Sequence, residues 1–103
     1  MWPQSYWMGH YRMCFIEKEL IICNQKGLHA RAAAAFVKCV SALDVEVLVE
    51  KDGQEVDGCS ILGLMMLAAS RGTSIKVKAR GNQAQQAIDD LSKLIDSRFG
   101  EEL

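Results

Sequence analysis

From residue 15 onward the apolar positions recur with two periods that take turns along the chain. Phe15 to Cys23 predicts a first strand, and Asn24-Gln25-Lys26-Gly27 supplies turn chemistry. Ala30 to Leu43 carries Ala33, Phe36, Val37 and Val40 at i, i+3, i+4, i+7, the spacing of an amphipathic helix. Val45, Val47 and Val49 then alternate with Glu46, Leu48 and Glu50, which predicts a half-buried strand. Asp52-Gly53 is a hairpin signal leading into a short strand near Gln54–Asp57. Ser60 can cap a second helix over Ile61 to Ser70, stopped by Gly72. Ile75, Val77 and Ala79 alternate with Lys76, Lys78 and Arg80 in a fourth strand. After Gly81, Asn82 with Gln85 resembles a capping box that opens a last helix, whose stripe is Ala84, Ala87, Ile88, Leu91 and Ile95.

The order is β-α-β-β-α-β-α. Each helix needs its apolar face covered and the clearest strands each offer one. This predicts an α/β (α+β) two-layer sandwich, an antiparallel sheet with the helices on one side. The outer faces of the second and fourth strands carry opposite charges, Glu46 and Glu50 against Lys76, Lys78 and Arg80, which favours pairing those two.

Residues 1–13, MWPQSYWMGHYRM, follow neither period and hold the single proline. Met8 and Met13 are both possible starts. The segment reads as a loose N-terminal extension, although Trp2, Tyr6, Trp7 and Tyr11 could instead dock on something. Residues 14–103 then form a single domain, within the ~50–200 residues of one core.

Twelve basic against thirteen acidic side chains leave a formal charge of −1, so the chain has no overall field for gripping nucleic acid or an anionic membrane. No apolar run approaches the roughly 20 residues of a membrane span, and the N-terminus has no signal-peptide pattern. The cytoplasm is the expected compartment. Cys14, Cys23, Cys39 and Cys59 are irregularly spaced with no C-x-x-C and no zinc pattern. They read as reduced thiols used as small hydrophobes, with no metal and no cofactor implied.

Two stretches carry candidate chemistry. In Asn24-Gln25-Lys26-Gly27-Leu28-His29-Ala30-Arg31, a strand ends, a glycine turn follows, and a histidine sits at the N-cap of the first helix. The N–H groups of Ala30, Arg31 and Ala32 have no partners within the helix, and the macrodipole adds about half a positive charge there. Such a terminus accepts anions. Arg31 adds a forked guanidinium suited to phosphate, and imidazole is a competent nucleophile. Together these describe a site that takes up and gives away a phosphoryl group. The small residues Ala30 and Ala32–Ala35 leave the surface open to a partner. A lone histidine at a helix start is more often a cap or a surface group, and local physics leaves that reading open.

The second stretch is Val56-Asp57-Gly58-Cys59-Ser60-Ile61-Leu62-Gly63-Leu64-Met65-Met66-Leu67. A capping serine before a core helix explains part of it. Its apolar residues cover more than one face, however, and an exposed patch with methionine marks a partner surface.

The two stretches together resemble HPr, the histidine-containing phosphocarrier family of the bacterial phosphoenolpyruvate-dependent phosphotransferase system. The likeness runs from about residue 15 to about 100. Gly27-Leu28-His29-Ala30-Arg31 is similar to the family's phosphohistidine motif, and Ser60-Ile61-Leu62-Gly63-Leu64-Met65 to its regulatory-serine motif. The resemblance implies a four-stranded sheet in the order 1-4-2-3. It implies that Nδ1 of His29 accepts a phosphoryl group from phospho-enzyme I and passes it to a histidine of an enzyme IIA domain, with Arg31 stabilising the phosphorylated state. It makes Ser60 the position that an HPr kinase/phosphorylase modifies in some branches. It also makes Ala30, Arg31 and Ala34 with Ile61, Leu62 and Met65 the docking surface of a monomeric carrier.

Many members have Pro where this chain has Ala32, and alanine restores an N–H donor near the phosphate. Many have Lys where Cys59 stands. The N-terminal segment has no family counterpart. Two other readings differ in class. An HPr-type regulator, of the nitrogen branch or bound to a transcription factor, would have no role in sugar uptake. A metallochaperone on a similar scaffold would want two thiols in the first loop, where Cys23 stands alone.

Overall fold

The alternation at 45–50 and 75–80 places two strands side by side at the centre of a four-stranded antiparallel sheet. The computed structural model describes residues 14–100, so the expected extension at 1–13 lies outside the described residues. The elements are β1 (Ile16–Ile21), α1 (Ala30–Ser41), β2 (Glu46–Lys51), β3 (Gln54–Asp57), α2 (Ile61–Met66), β4 (Ser74–Arg80) and α3 (Ala84–Asp96). A short left-handed turn, Arg98–Gly100, follows. The sheet order is β1-β4-β2-β3. Val47 lies opposite Ala79 and Val49 opposite Val77, so both strands turn their apolar residues to the same side.

On that side Leu20, Val47, Val49, Ile75 and Val77 meet the buried stripes of the helices, Phe36 and Val40 from α1 and Ala87, Ile88, Leu91 and Ile95 from α3. Phe36 is wholly buried at the centre of this layer. A cavity from Phe36→Ala would cost about 3–5 kcal/mol. The two-layer sandwich, the sheet order and the pairing of β2 with β4 are as expected from the sequence.

Several boundaries differ. The first strand is shorter than Phe15–Cys23, and α1 stops at Ser41, with Ala42 as its C-cap, rather than reaching Leu43. The second helix ends at Met66 rather than Ser70, because Leu67 caps it and Ala68 takes a positive φ of 52°. That turn sends Leu67 and Ala69 into the core. The capping box at the start of α3 does not form. Gln83 is the N-cap, Asn82 donates to Asp44 at 2.6 Å, and Gln85 donates to Asp89 along the helix. Both side chains spend their amide donors on carboxylates instead.

Candidate functional site

Strand β1 runs past its last paired residue into a tight loop. Ile22 donates from its N–H to the Thr73 carbonyl at 2.9 Å and accepts from the Gly72 N–H at 2.7 Å. Asn24 follows, fully buried, and its Nδ2 donates to the Gly27 carbonyl at 2.8 Å. Gly27 adopts φ +68° and sits so close to the α2–β4 segment that a Cβ there would lie 2.5 Å from the Ala69 carbonyl oxygen. Only glycine fits such an approach in the left-handed region. The same Ala69 carbonyl accepts from the N–H of Leu28 at 2.9 Å, and the Leu28 side chain is buried. The loop is therefore pinned at both its tip and its exit, and the next residue is His29.

His29 is the N-cap of α1 with extended backbone (φ −82°, ψ −178°), and its ring makes no cap hydrogen bond. The plain capping role thus loses its support. Ring Nδ1 instead lies 3.1 Å from the Gly27 carbonyl, which also accepts the His29 N–H at 2.9 Å. In the tautomer with its proton on Nδ1 the ring donates to this carbonyl, and in the other tautomer the Nδ1 lone pair is free to react. Asn24 donates to the same oxygen, so the Gly27 carbonyl ties the Asn24 side chain to the His29 backbone.

The first turn of α1 contains no acidic residue, which leaves the positive end of its dipole uncompensated within the helix. Arg31 is exposed and has no ion-pair partner among the described residues. His29, Arg31 and Ala32 line a cleft of about 640 Å³ together with Gln25, Lys26, Phe99 and Gly100. No carboxylate lines it among the described residues. An imidazole, a guanidinium, a lysine and the free N–H groups at a helix start thus surround one space, an arrangement chemically fitted to a small multiply charged anion.

Of the small residues expected to open the surface, Ala30 and Ala34 are exposed, but Ala32 and Ala33 are buried. They face the sheet because they fall on the same stripe as Phe36 and Val40. Ala32 contributes its backbone to the cleft while its side chain belongs to the core.

Ser60 does cap α2, its Oγ accepting from the Gly63 N–H at 2.9 Å. It does not line the cleft. A Cβ at Gly63 would lie 3.0 Å from that Oγ, so the cap relies on glycine there. Ile61, Leu62 and Met65 are exposed as expected, while Leu64 turns into the core. Met66, 63% exposed, extends the patch beyond the docking residues that the resemblance implies. The excess of apolar residues over one face was its signal.

Two other contributors carry no local signal in the sequence. Asn24 read as generic turn chemistry, and its burial depends on a loop closed by residues some 45 positions away. Phe99-Gly100 reaches the cleft from the far end of the chain, a placement no local pattern encodes.

The family model for the "PTS HPr component phosphorylation site" matches residues 16–97. The phosphocarrier protein HPr of Xylella fastidiosa (strain 9a5c) is 42% identical over 87 residues, which span 84% of this chain and 98% of that protein. The phosphocarrier protein NPr of Shewanella violacea is 35% identical over 89 residues, 86% of this chain and 98% of its own. Among solved structures, HPr-C-His from Thermoanaerobacter tengcongensis superposes with a TM-score of 0.81 at 44% identity, covering 85% of this chain and 99% of that one.

Proposed function

This chain belongs to the HPr family of phosphotransferase-system phosphocarriers, and from that premise we propose that it accepts one phosphoryl group on Nδ1 of His29 from phospho-enzyme I and delivers it to a histidine of an enzyme IIA domain. The observation that carries this reading is the convergence on one cleft of the His29 ring, Arg31, Lys26 and the uncompensated N-terminus of α1.

Attack on phosphorus needs the Nδ1 lone pair, so in the reacting tautomer the ring proton sits on Nε2 and Nδ1, 3.1 Å from the Gly27 carbonyl, faces the phosphoryl group instead. Phosphorus–nitrogen bond formation then displaces the donor's imidazole. Charge develops on the three phosphoryl oxygens, and the catalytic demand is for fixed donors in the right place. Arg31 and the N–H groups of Ala30, Arg31 and Ala32 fill that role. Gly27, held by Asn24, fixes the backbone from which the ring projects. The protein carries a group between partners and turns over no small molecule of its own.

Ala30, Ala34, Ile61, Leu62 and Met65 would form the docking face around the cleft. Ser60 stands at the edge of that face. A phosphate there adds roughly −1.5 to −2 charges beside an apolar patch and would weaken docking by acidic partners. This would be the route for a HPr kinase/phosphorylase, acting on a monomeric cytoplasmic carrier whose folded domain spans 14–103.

The test is labelling by enzyme I and phosphoenolpyruvate, comparing the wild type with His29→Ala. An acid-labile, base-stable phosphate on the wild type alone is expected. Absence of label on both proteins beside an active enzyme I would overturn the relay. The match to NPr favours a second reading, a regulatory nitrogen-branch carrier using the same His29. Preference for a nitrogen-branch enzyme I over the sugar enzyme I would select it.

A further inference from the structure

Among the described residues, and apart from Ala32, whose side chain belongs to the core, the cleft around His29 has one apolar wall. Gln25, Lys26 and Arg31 bring amide and cationic groups; Phe99 is the one large apolar residue among the described lining. It arrives there through an unusual backbone. Arg98 (φ 59°), Phe99 (φ 55°) and Gly100 (φ 75°) are successive left-handed residues, and the Gly100 N–H closes the turn on the Ser97 carbonyl at 3.0 Å. A bulky residue at positive φ is disfavoured and persists only where its surroundings fix it. Here they do, since Phe99 is half-buried against the hydrophobic core while it borders the cleft.

We propose that Phe99 is a wall that screens the phosphoryl group on His29 from water and so sets the lifetime of the phosphorylated carrier. The inference rests on the carrier reading above and deepens it. A carrier faces two competing exits for its cargo. In transfer, the acceptor imidazole attacks phosphorus and the P–N bond to His29 breaks. In hydrolysis, a water oxygen attacks instead, the same bond breaks, one water proton ends on the His29 ring, and orthophosphate leaves. Lys26, Arg31 and the α1 terminus stabilise charge in either case, so they cannot favour one exit. A docked partner covers the cleft and supplies its own nucleophile. Between partners only the carrier's own walls limit access of water, and the wall that binds no water is Phe99.

The experiment is to label the protein with phospho-enzyme I, isolate the phosphorylated form, and follow orthophosphate release at fixed pH. Phe99→Ala is expected to shorten the half-life severalfold, with initial labelling changed far less. Phe99→Gly removes the ring while suiting the left-handed backbone, so it keeps the test open if the alanine variant folds poorly; it should also shorten the half-life. Phe99→Leu should restore most of it. Val49→Ala, buried in the sheet away from the cleft, controls for lost stability and should leave the half-life unchanged. Equal half-lives in the wild type and both truncations would overturn the proposal, as would a shortening of equal size in the Val49 control. If the wild type takes no label, the carrier reading itself has failed and this inference falls with it.

Discussion

Two regions of the molecule are rich in charge, and they use it in opposite ways. On the outer face of the sheet, the cations of β4 are answered one by one. Lys78 lies 3.0 Å from Glu50 and 2.9 Å from Glu55, Arg80 is 2.7 Å from Glu46 with its guanidinium over the Phe15 ring, and Lys76 is 3.8 Å from Glu17. Such a face holds its own charges and has little to offer a ligand. At the N-terminus of α1 the positive sources are fewer, yet Arg31 and the helix dipole are answered by no carboxylate among the described residues. A binding site here is recognised by what is left unbalanced and by how firmly the backbone aims it. Charge density alone would have pointed to the wrong side of the sheet.

The aim can be broken at Gly27. Alanine there must hold a left-handed φ, at about 1–2 kcal/mol, and its Cβ would press on the Ala69 carbonyl. Relief requires the Leu28–Ala69 hydrogen bond to lengthen, which moves His29. We expect the midpoint of thermal unfolding to fall by roughly 5–15 °C, and labelling by enzyme I to fall about a hundredfold, the scale of a displacement near 1 Å. Scanning calorimetry and labelling rates check both. A variant that melts early yet labels normally would separate the loop from the chemistry.

The imbalance can be broken at Arg31. It is exposed and makes no ion pair among the described residues, so removing it should leave the melting temperature nearly unchanged. In the relay it should matter, because a hydrogen bond to a charged group contributes about 1.5–3 kcal/mol, or roughly 10- to 100-fold in rate. Lysine at this position should recover part of the loss, as it keeps the charge without the fork. If Arg31→Ala transfers as fast as the wild type, the helix terminus and Lys26 suffice by themselves.

The same contrast explains what could be read from the chain. The alternation of Val47 and Val49 with Glu46 and Glu50, and of Ile75 and Val77 with Lys76 and Lys78, encodes both faces of the sheet locally, so the central strands were plain. The helical stripe through Ala33, Phe36 and Val40 was equally local. The site was half legible. Gly27 through Arg31 is one continuous motif and could be seen, and the excess of apolar residues around Leu62 announced an exposed patch. Asn24 and Phe99 could not, since their positions depend on contacts with distant parts of the chain. The end of α2 departs from the periodic pattern for a related reason. Leu67 and Ala69 continue the apolar run, but the sheet draws them in through a turn at Ala68 rather than another turn of helix.

The smallest expected effect belongs to the balanced face, and it tests whether that balance is structural. Glu50 and Glu55 sit directly opposite each other on β2 and β3, a like-charge pairing that Lys78 bridges. The hydrogen bond and charge of Lys78, with Lys76 adding to them, hold the Glu50 carboxyl below its ordinary range, and the two carboxylates hold Lys78 well above its own. A depressed carboxyl stabilises the fold above its unfolded pKa, and that contribution is lost as pH falls through the folded value. A raised lysine contributes below its unfolded pKa and loses this only in strong alkali. In Lys78→Met the main source of the Glu50 shift is gone and two carboxylates face each other. The melting temperature at neutral pH should therefore drop slightly, as befits an exposed network. On acidification through and below the carboxylate range, the variant should lose less stability than the wild type, so the two curves converge. Labelling of His29 should be unchanged throughout. Parallel melting curves from neutral to acid pH would mean that the ion pairs on this face hold nothing together, and that its charges serve only to keep it wet.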